Sequence, residues 1–439
     1  RSLHARRRAL RALRRSLLSR ENALFAALAA DLGKPRTEAY ASEIGFVLKE
    51  LDFVLRRLGR WIRPRRVPTP WLDRPGVSEI VPRPKGMALV LSPWNYPFQL
   101  ACSPLLSALA AGCCAVVKPS ELAPATSAVL ADMIADALPA ELAAVVRGDA
   151  RTAQDLLALP WDHVFFTGST RVGRSVMAAA ARHPCSVTLE LGGKNPVIVF
   201  PNADPGACAD RVAWAKGLNA GQTCVAPDHV FVPRRRWDAV VTALTASLRR
   251  MYGDDPLASP DLSRIVNRHH FERLRGLLGD AEILWGGQAD PERLLLAPTL
   301  VRLEREDHPL LDEEIFGPIL PLIPYDHLDE LIAELQGRPS PLALYAFTAS
   351  PRRAEHLLAA VPAGGAAVND ALSQIANPHL PLGGRGASGF GESRGRAGFE
   401  TFTHRQAVLR RGTRWRHRLK YPPYRYPWAW FKRFYAWFG

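Results

Sequence analysis

The residues of this chain best suited to covalent chemistry are Cys224, in Gly221-Gln222-Thr223-Cys224, and Glu190, in Thr188-Leu189-Glu190-Leu191-Gly192-Gly193-Lys194. A thiolate attacks a carbonyl carbon, and a carboxylate set between leucines is desolvated, which raises its pKa and fits it to act as a general base. Taken alone, Glu190 also reads as a surface residue of a helix or strand. Asn95, in Leu91-Ser92-Pro93-Trp94-Asn95-Tyr96-Pro97, is expected at the turn between a strand and a helix; by itself it reads as a turn asparagine. Lys118 and Glu121, in Lys118-Pro119-Ser120-Glu121, end the apolar strand Ala115-Val116-Val117, where a cation and a carboxylate suit the hydroxyls of a nucleotide sugar or are merely solvated. The stretch Val164 to Gly173 reads as strand, tight turn and helix start. Gly168, Ser169, Thr170, Arg171, Val172 and Gly173 then lie where backbone N–H groups meet an anion, although the run is not G-x-G-x-x-G.

These groups need a scaffold, and the chain has the material for one. It has 439 residues, 47% of them hydrophobic, which is enough to bury a large core in two or three domains. Glycine and proline are spread throughout, and no repeat period emerges. The six cysteines form no C-x-x-C pair and no His/Cys spacing resembles a zinc site, a pattern that suits a reducing, cytoplasmic compartment with no metal. The net charge of +15 arises from scattered Arg and Lys with denser runs near both ends, and composition alone argues weakly for nucleic acid, so none is expected as a partner. No run of 18 apolar residues offers a membrane-spanning helix.

Residues 1 to about 63 read as two long amphipathic helices broken at Gly33-Lys34-Pro35. The Arg-rich, acid-free start raises the alternative of a transit peptide, but its leucine stripe continues into Asp31-Leu32-Gly33 as that of an integral helix does. A proline-rich excursion carrying a β-type stretch, Val77 to Val81, follows. From Gly86 strands and helices alternate: Met87 to Leu91, Leu100 to Ala111, Ala115 to Val117, Pro124 to Leu138 and Ala143 to Val146. That rhythm implies a parallel sheet with helices on both faces and ligands at the carboxyl ends of the strands. A second α/β region starts near Lys194, with strands expected around Val197 to Phe200, His229 to Val232 and Ala343 to Phe347.

Taken together, P-W-N-Y-P, K-P-S-E, F-T-G-S-T, E-L-G-G-K, G-Q-T-C, E-I-F-G-P at Glu314 to Pro318, and G-G-R-G-A-S-G at Gly383 to Gly389 resemble the aldehyde dehydrogenase superfamily in order and spacing over most of the chain. Cys224 to Asp228, Phe399-Glu400-Thr401-Phe402 and Tyr421-Pro422-Pro423-Tyr424 look like its class 3 branch of fatty, benzylic and coniferyl-type enzymes. The resemblance implies that Cys224 is the nucleophile, Glu190 the base that activates water against a thioester, and Asn95 with the Cys224 backbone N–H the donors to the oxyanion. It implies NAD, with NADP possible: Lys118 and Glu121 at the adenosine ribose, Gly168 to Gly173 by the pyrophosphate, and Glu314 and Phe316 at the nicotinamide ribose. Tyr96 and Trp214 are candidates for an apolar substrate funnel, with core packing as the alternative. Two departures stand out. His229 occupies a usual Tyr position, and Ser393-Arg394 replaces a frequent Tyr-His pair.

The expected architecture is α/β: a doubly wound, Rossmann-like cofactor domain (1–66 and 85–193), a second α/β catalytic domain (194–400), and a small β bridging element (67–84 and 401–413) that makes a homodimer. A basic aromatic tail (414–439) completes the chain. Its segment Pro427 to Gly439, with Trp428, Phe431, Phe434, Tyr435 and Phe438 on one helical face and Arg411, Arg414, Arg416, Arg418, Lys420 and Arg425 upstream, reads as a peripheral membrane contact or a contact with the partner subunit. The rival functions are a CoA-acylating relative, against which Glu190 speaks, and a non-catalytic basic binding protein on the same fold.

Overall fold

The leucine stripe at the chain start folds as two helices, Leu3–Ser19 and Glu21–Leu32, and not as one; the backbone turns at Arg20, whose N–H bonds to Leu17 O. In this computed structural model, which describes residues 1–304, 308–414 and 418–438, the next helical stretch is also interrupted. Arg36–Ala39 passes through a π-helical turn, Tyr40–Ile44, into Gly45–Trp61. A π turn shifts the face that the following residues present and often marks a functional site; here Glu43 becomes fully buried. Leu10, Leu13, Leu17, Leu28, Val47, Leu51 and Leu58 are buried in one core with helices Gln99–Ala111 and Pro124–Ala137. Each such side chain contributes roughly 1.5–3 kcal/mol of burial free energy.

Among the described residues, the first sheet runs in the order Gly389–Phe390, Ser186–Leu191, His163–Gly168, Met87–Leu91, Cys114–Lys118, Ala143–Val145. It is parallel apart from the first, two-residue strand. The second sheet runs Glu282–Trp285, Thr299–Arg302, Ile319–Tyr325, His229–Pro233, Pro196–Val199, Ala343–Phe347, Gly365–Val368, antiparallel only at Glu282–Trp285. The expected βαβ rhythm and both parallel sheets are present.

The small third sheet is antiparallel, with Val77–Pro84 between Arg65–Val67 and Thr403–Arg410. One segment departs from the expected division of the chain. Gly389–Phe390 pairs with Leu189 and Glu190, and helix Gly395–Thr401 packs against Gln99–Ala111 and Gly45–Trp61, so residues 389–402 return to the first core although 194–400 was expected with the second. Phe399 and Phe402, both buried there, drive that return.

The tail forms a helix, Trp428–Phe438. Its aromatic face is only partly solvent-facing: Phe434 meets Trp71 edge-on at 4.9 Å and Phe431 stacks on Tyr426, while Trp428 and Trp437 are 72% and 85% exposed. Arg416 and Gly439, and the side chains of Arg418 and Phe438, lie outside the described residues. Among the described residues no helix is long and apolar enough to cross a membrane.

Candidate active site

Cys224 follows the helix Pro205–Gly217 through a short irregular turn in which Asn219 and Ala220 take left-handed conformations, φ 54° and 50°. Such residues are held there only by surrounding bonds. Asn219 supplies them: its Nδ2 donates to Asn95 O at 2.8 Å and to Gln222 O at 3.1 Å, and its N–H donates to Glu38 Oε1. Gly221 completes the turn at φ 71°, where a Cβ would lie 2.2 Å from Gly317 O, so only glycine lets the nucleophile loop sit against the E-I-F-G-P segment.

The turn bearing Asn95 is fixed from the opposite side. Lys34 Nζ donates to Asn95 O at 3.0 Å, pairs with Glu43, and lies 4.0 Å above the Tyr96 ring. Glu43 in turn accepts the backbone N–H groups of Phe98 and Gln99 at the start of the next helix. Both charges of the Lys34–Glu43 pair are fully buried, so losing either partner costs about 3–5 kcal/mol. Asn95 Nδ2 donates to Gln222 O at 3.0 Å, which sets the amide beside the nucleophile loop.

Asn95, Glu190 and Cys224 line one cavity of about 520 Å³, with Thr167 to Arg171, Glu314 and Phe316. Burial, then the charges of Glu190 and Glu314, push the Cys224 thiol up to about 12, so attack requires that its proton be removed. Glu190 is the penultimate residue of the strand Ser186–Leu191. Burial raises its pKa, Arg394 and Ser393 offset part of the rise, and Glu50 adds to it. Its Oε1 is buried without a hydrogen-bond partner among the described residues, which leaves that oxygen available to a water.

Glu314 sits against Gly192, where a Cβ would lie 1.9 Å from Glu314 Oε2. Burial and then Asp228 push its carboxyl up to about 8 despite the Gly193 N–H, Lys194 and Arg273. Asp228 anchors this segment: its Oδ2 accepts the Ile315 N–H at 3.0 Å and its Oδ1 pairs with Lys194 and His229. Burial alone would raise the Asp228 pKa, but Lys194 and His229 hold it well below the usual carboxylate range.

Next to this cavity a groove of about 990 Å³ runs along the carboxyl ends of the first sheet, sharing Pro93, Trp94, Gly168, Ser169 and Arg171 with it. Lys118, Glu121 and Val172 line the groove. Lys118 Nζ donates to Glu121 Oε2 at 2.7 Å, with Lys118 buried and Glu121 exposed. Ser169 caps helix Thr170–Ala180 by accepting the Val172 N–H, and the helix starts at the groove wall. A helix N-terminus, the Lys118–Glu121 pair and a cavity reaching Glu314 and Phe316 are groups of the kinds that can meet the phosphates and hydroxyls of a dinucleotide.

Gly173 stands apart from these cofactor candidates. It is buried in the helix, where a Cβ would lie 2.7 Å from Leu191 Cδ2, so it serves close helix–strand packing. The two funnel candidates also lie outside the lining of the reactive cavity. Tyr96 is buried, its OH bonded to Thr223 Oγ1 at 2.5 Å, and Trp214 is 42% exposed on Pro205–Gly217. The sequence reading missed Lys34, Glu43, His270, Arg273 and Arg394. Arg273 holds the E-I-F-G-P backbone through Ile315 O and Glu314 O, and burial lowers the His270 imidazole to about 4. The signal for Lys34 and Glu43 was a pair of charges flanking an apolar helical stripe; His270 and Arg273 gave none above a solvated helix face.

The chain belongs to the aldehyde dehydrogenase family, whose sequence pattern matches residues 1–408, and is an NAD(P)-dependent oxidoreductase acting on aldehydes. Among its relatives, "4,4'-diaponeurosporen-aldehyde dehydrogenase" of Staphylococcus aureus is 41% identical over 98% of this chain and 94% of that protein. "Aldehyde dehydrogenase family 3 member B2" of Mus musculus is 44% identical over 95% of this chain and 88% of its own length, in agreement with the class 3 resemblance. A solved structure of the substrate-bound state of Staphylococcus aureus AldH superimposes with a TM-score of 0.97 at 41% identity, covering 99% of this chain and 95% of that one.

Proposed function

We propose that the protein oxidises an apolar aldehyde, long-chain aliphatic or aromatic, to its carboxylic acid through a thiohemiacetal and then a thioester on Cys224. The observation that carries this reading is the convergence of Cys224, Glu190 and Asn95 on one cavity continuous with the nucleotide groove. Cys224 gives up its thiol proton to solvent and attacks the carbonyl carbon, the C=O π pair moving to oxygen, while the Asn95 amide and the Cys224 N–H stabilise the oxyanion. Lys118, Glu121 and the start of helix Thr170–Ala180 would hold NAD or NADP, which would supply a hydride acceptor. Glu190 then takes a proton from the water that hydrolyses the thioester, and release to water distinguishes this enzyme from a CoA-acylating one. Cys224 packs against the hydrophobic core that holds Tyr345, with Leu218 and Ile375 at the edge of the same core, which supports the apolar substrate class.

The test is NADH or NADPH formation across aliphatic, benzylic and cinnamyl aldehydes, in the unmodified enzyme and in Glu121→Ser. The Glu121 carboxylate repels a 2′-phosphate and also occupies Lys118, so NAD should be preferred and the substitution should narrow the preference several-fold. Because Glu121 is largely exposed, solvent screening keeps the effect modest. Equal kcat/KM for the two cofactors in the unmodified enzyme refutes the preference.

The open strand Thr403–Arg410, exposed along most of its length at the rim of the three-stranded sheet, supports a homodimer joined there. The tail supports a second contact. Trp428, Trp430, Tyr435 and Trp437 are exposed beside Lys432 and Arg433, the composition of a segment lying at a membrane surface. In flotation with anionic vesicles at low salt, the full chain should float and a chain ending at Tyr426 should not. If both stay in the soluble fraction, the membrane reading fails and packing on the partner subunit replaces it.

A further inference from the structure

The turn that carries Cys224 is tied to a segment far away in sequence. The helix Pro205–Gly217 stops at Leu218, whose ψ of 126° is extended, so the next backbone N–H, that of the buried Asn219, has left the helical bonding pattern. A buried N–H without an acceptor is costly. The acceptor it finds is the carboxylate of Glu38, whose Oε1 takes the Asn219 N–H at 2.8 Å. That bond sits at the first of three consecutive left-handed residues, Asn219, Ala220 and Gly221, at φ 54°, 50° and 71°. Two of them bear side chains, for which this conformation needs support from outside the turn.

Glu38 is itself held on both sides. Its carbonyl accepts Ser42 Oγ at 2.7 Å, the Ala39 N–H that follows bonds to Pro35 O, and Ser263 Oγ approaches Oε1 at 3.4 Å. Ser263 is buried, and its neighbour Arg264 donates its N–H to Leu32 O and accepts Gln222 Nε2 through its own carbonyl. The helical turn Arg36–Ala39, the Ser263 loop and the nucleophile turn thus meet at one carboxylate oxygen. From Asn219 the connection runs directly to the reacting groups. Its Nδ2 donates to Asn95 O and to Gln222 O, and Asn95 Nδ2 donates to that same Gln222 O. A shift of Asn219 therefore changes where the Asn95 amide and the Cys224 N–H stand relative to each other.

We propose that Glu38 is a positioning residue for thioester formation: by accepting the Asn219 N–H it holds the left-handed turn in the shape that brings the Cys224 backbone N–H and the Asn95 amide to one oxyanion. Such a role needs an acceptor at the right distance and not a charge. Aspartate keeps the charge but is one methylene too short for the bond to Asn219, while glutamine keeps an oxygen of the same reach and drops the charge. The role rests on Cys224 being the nucleophile. Cofactor binding is left untouched, since neither Glu38 nor Asn219 lines the groove.

The experiment is a single turnover with enzyme in excess over aldehyde and NAD saturating, so that NADH formation reads the steps up to hydride transfer free of deacylation. Glu38→Ala, Glu38→Asp and Glu38→Gln are compared with the unmodified enzyme, and NAD binding is titrated by tryptophan fluorescence in each. The maximal rate at high enzyme concentration is independent of any unfolded fraction. In Glu38→Ala and Glu38→Asp that rate should fall by about 10- to 100-fold, the worth of a hydrogen bond to a charged group, while Kd for NAD and the enzyme concentration giving half the maximal rate stay as they were. Glu38→Gln should return it to within about fivefold of the unmodified rate. Where Glu38→Ala yields no folded protein, the contrast between Glu38→Asp and Glu38→Gln decides. An unmodified rate in Glu38→Asp, or a Glu38→Gln enzyme as slow as Glu38→Asp, overturns the proposal. Turnover that persists in Cys224→Ala overturns instead the nucleophile assignment; with Cys224→Ala inactive, an unmodified rate in Glu38→Asp removes the role of Glu38 alone.

Discussion

Replacing Cys224 with alanine should abolish NAD-linked aldehyde oxidation, by at least about 10⁴-fold, while the cofactor still binds. Cys224 is the cysteine that lines the cavity with Asn95 and Glu190; Cys102, Cys113 and Cys208 are buried in the cores. The adjacent Thr223 hydroxyl does not stand in for it, since its Oγ1 is engaged with Tyr96 OH. The groove proposed for the nucleotide is lined by Lys118, Glu121 and the start of helix Thr170–Ala180, none of which the substitution touches. The loop should survive as well, because its shape depends on Asn219, Gln222 and Gly221 and not on the sulfur. Trp94 lines both the groove and the cavity, so quenching of tryptophan fluorescence by NAD reports binding in the same sample. Turnover that persists in Cys224→Ala with an intact NAD titration would end the thioester mechanism.

How much of this was legible beforehand depended on the kind of signal each part carries. Strands buried on both faces read clearly: Met87–Leu91 and Ala343–Phe347 have the limits that their apolar runs suggested. The residues that meet in one cavity read clearly too, because Cys224, Glu190 and Asn95 stand in short motifs. What did not read were features set by tertiary contact. The π turn at Tyr40–Ile44 has no sequence mark, yet it places Glu43 under Lys34 and so fixes the Asn95 turn. Residues 389–402 read as the continuation of the second region, but pairing of Gly389 with Glu190 draws them back to the first sheet. Gly173 read as a phosphate glycine, being spaced like one, whereas its position is set by Leu191. Arg394 read as a departure from a family pattern that bears on the substrate channel. Its partner Glu50 is distant in sequence, on the buried side of Gly45–Trp61, and pairing at that range is invisible to periodicity.

In Glu190→Gln the first turnover of NADH should remain fast and the steady state should fall by about 10² to 10⁴, the usual worth of a general base. The order of steps dictates this split. In the proposed mechanism hydride leaves the thiohemiacetal before water is needed, so a defect in activating water should leave an acyl-enzyme that accumulates after one equivalent of NADH. Glutamine preserves the shape at the end of Ser186–Leu191 and the backbone pairing with Gly389. It removes the charge that helps to hold the Cys224 thiol near 12, so attack should be no harder and the burst is expected to be full. The pH dependence of the unmodified enzyme has a defined sign. The Glu190 pKa is raised, so the basic form is lost as pH falls through that elevated value and deacylation slows on the acid side well before an ordinary glutamate would protonate. The Glu190→Gln enzyme should lack that limb and show a flat, slow deacylation over the same range. Rapid mixing followed by intact-mass analysis decides the matter: an adduct of acyl mass on Cys224, at close to one per chain, is the expected result. No adduct together with an equally slow first turnover would place Glu190 before hydride transfer, as the acceptor of the thiol proton instead of the water proton.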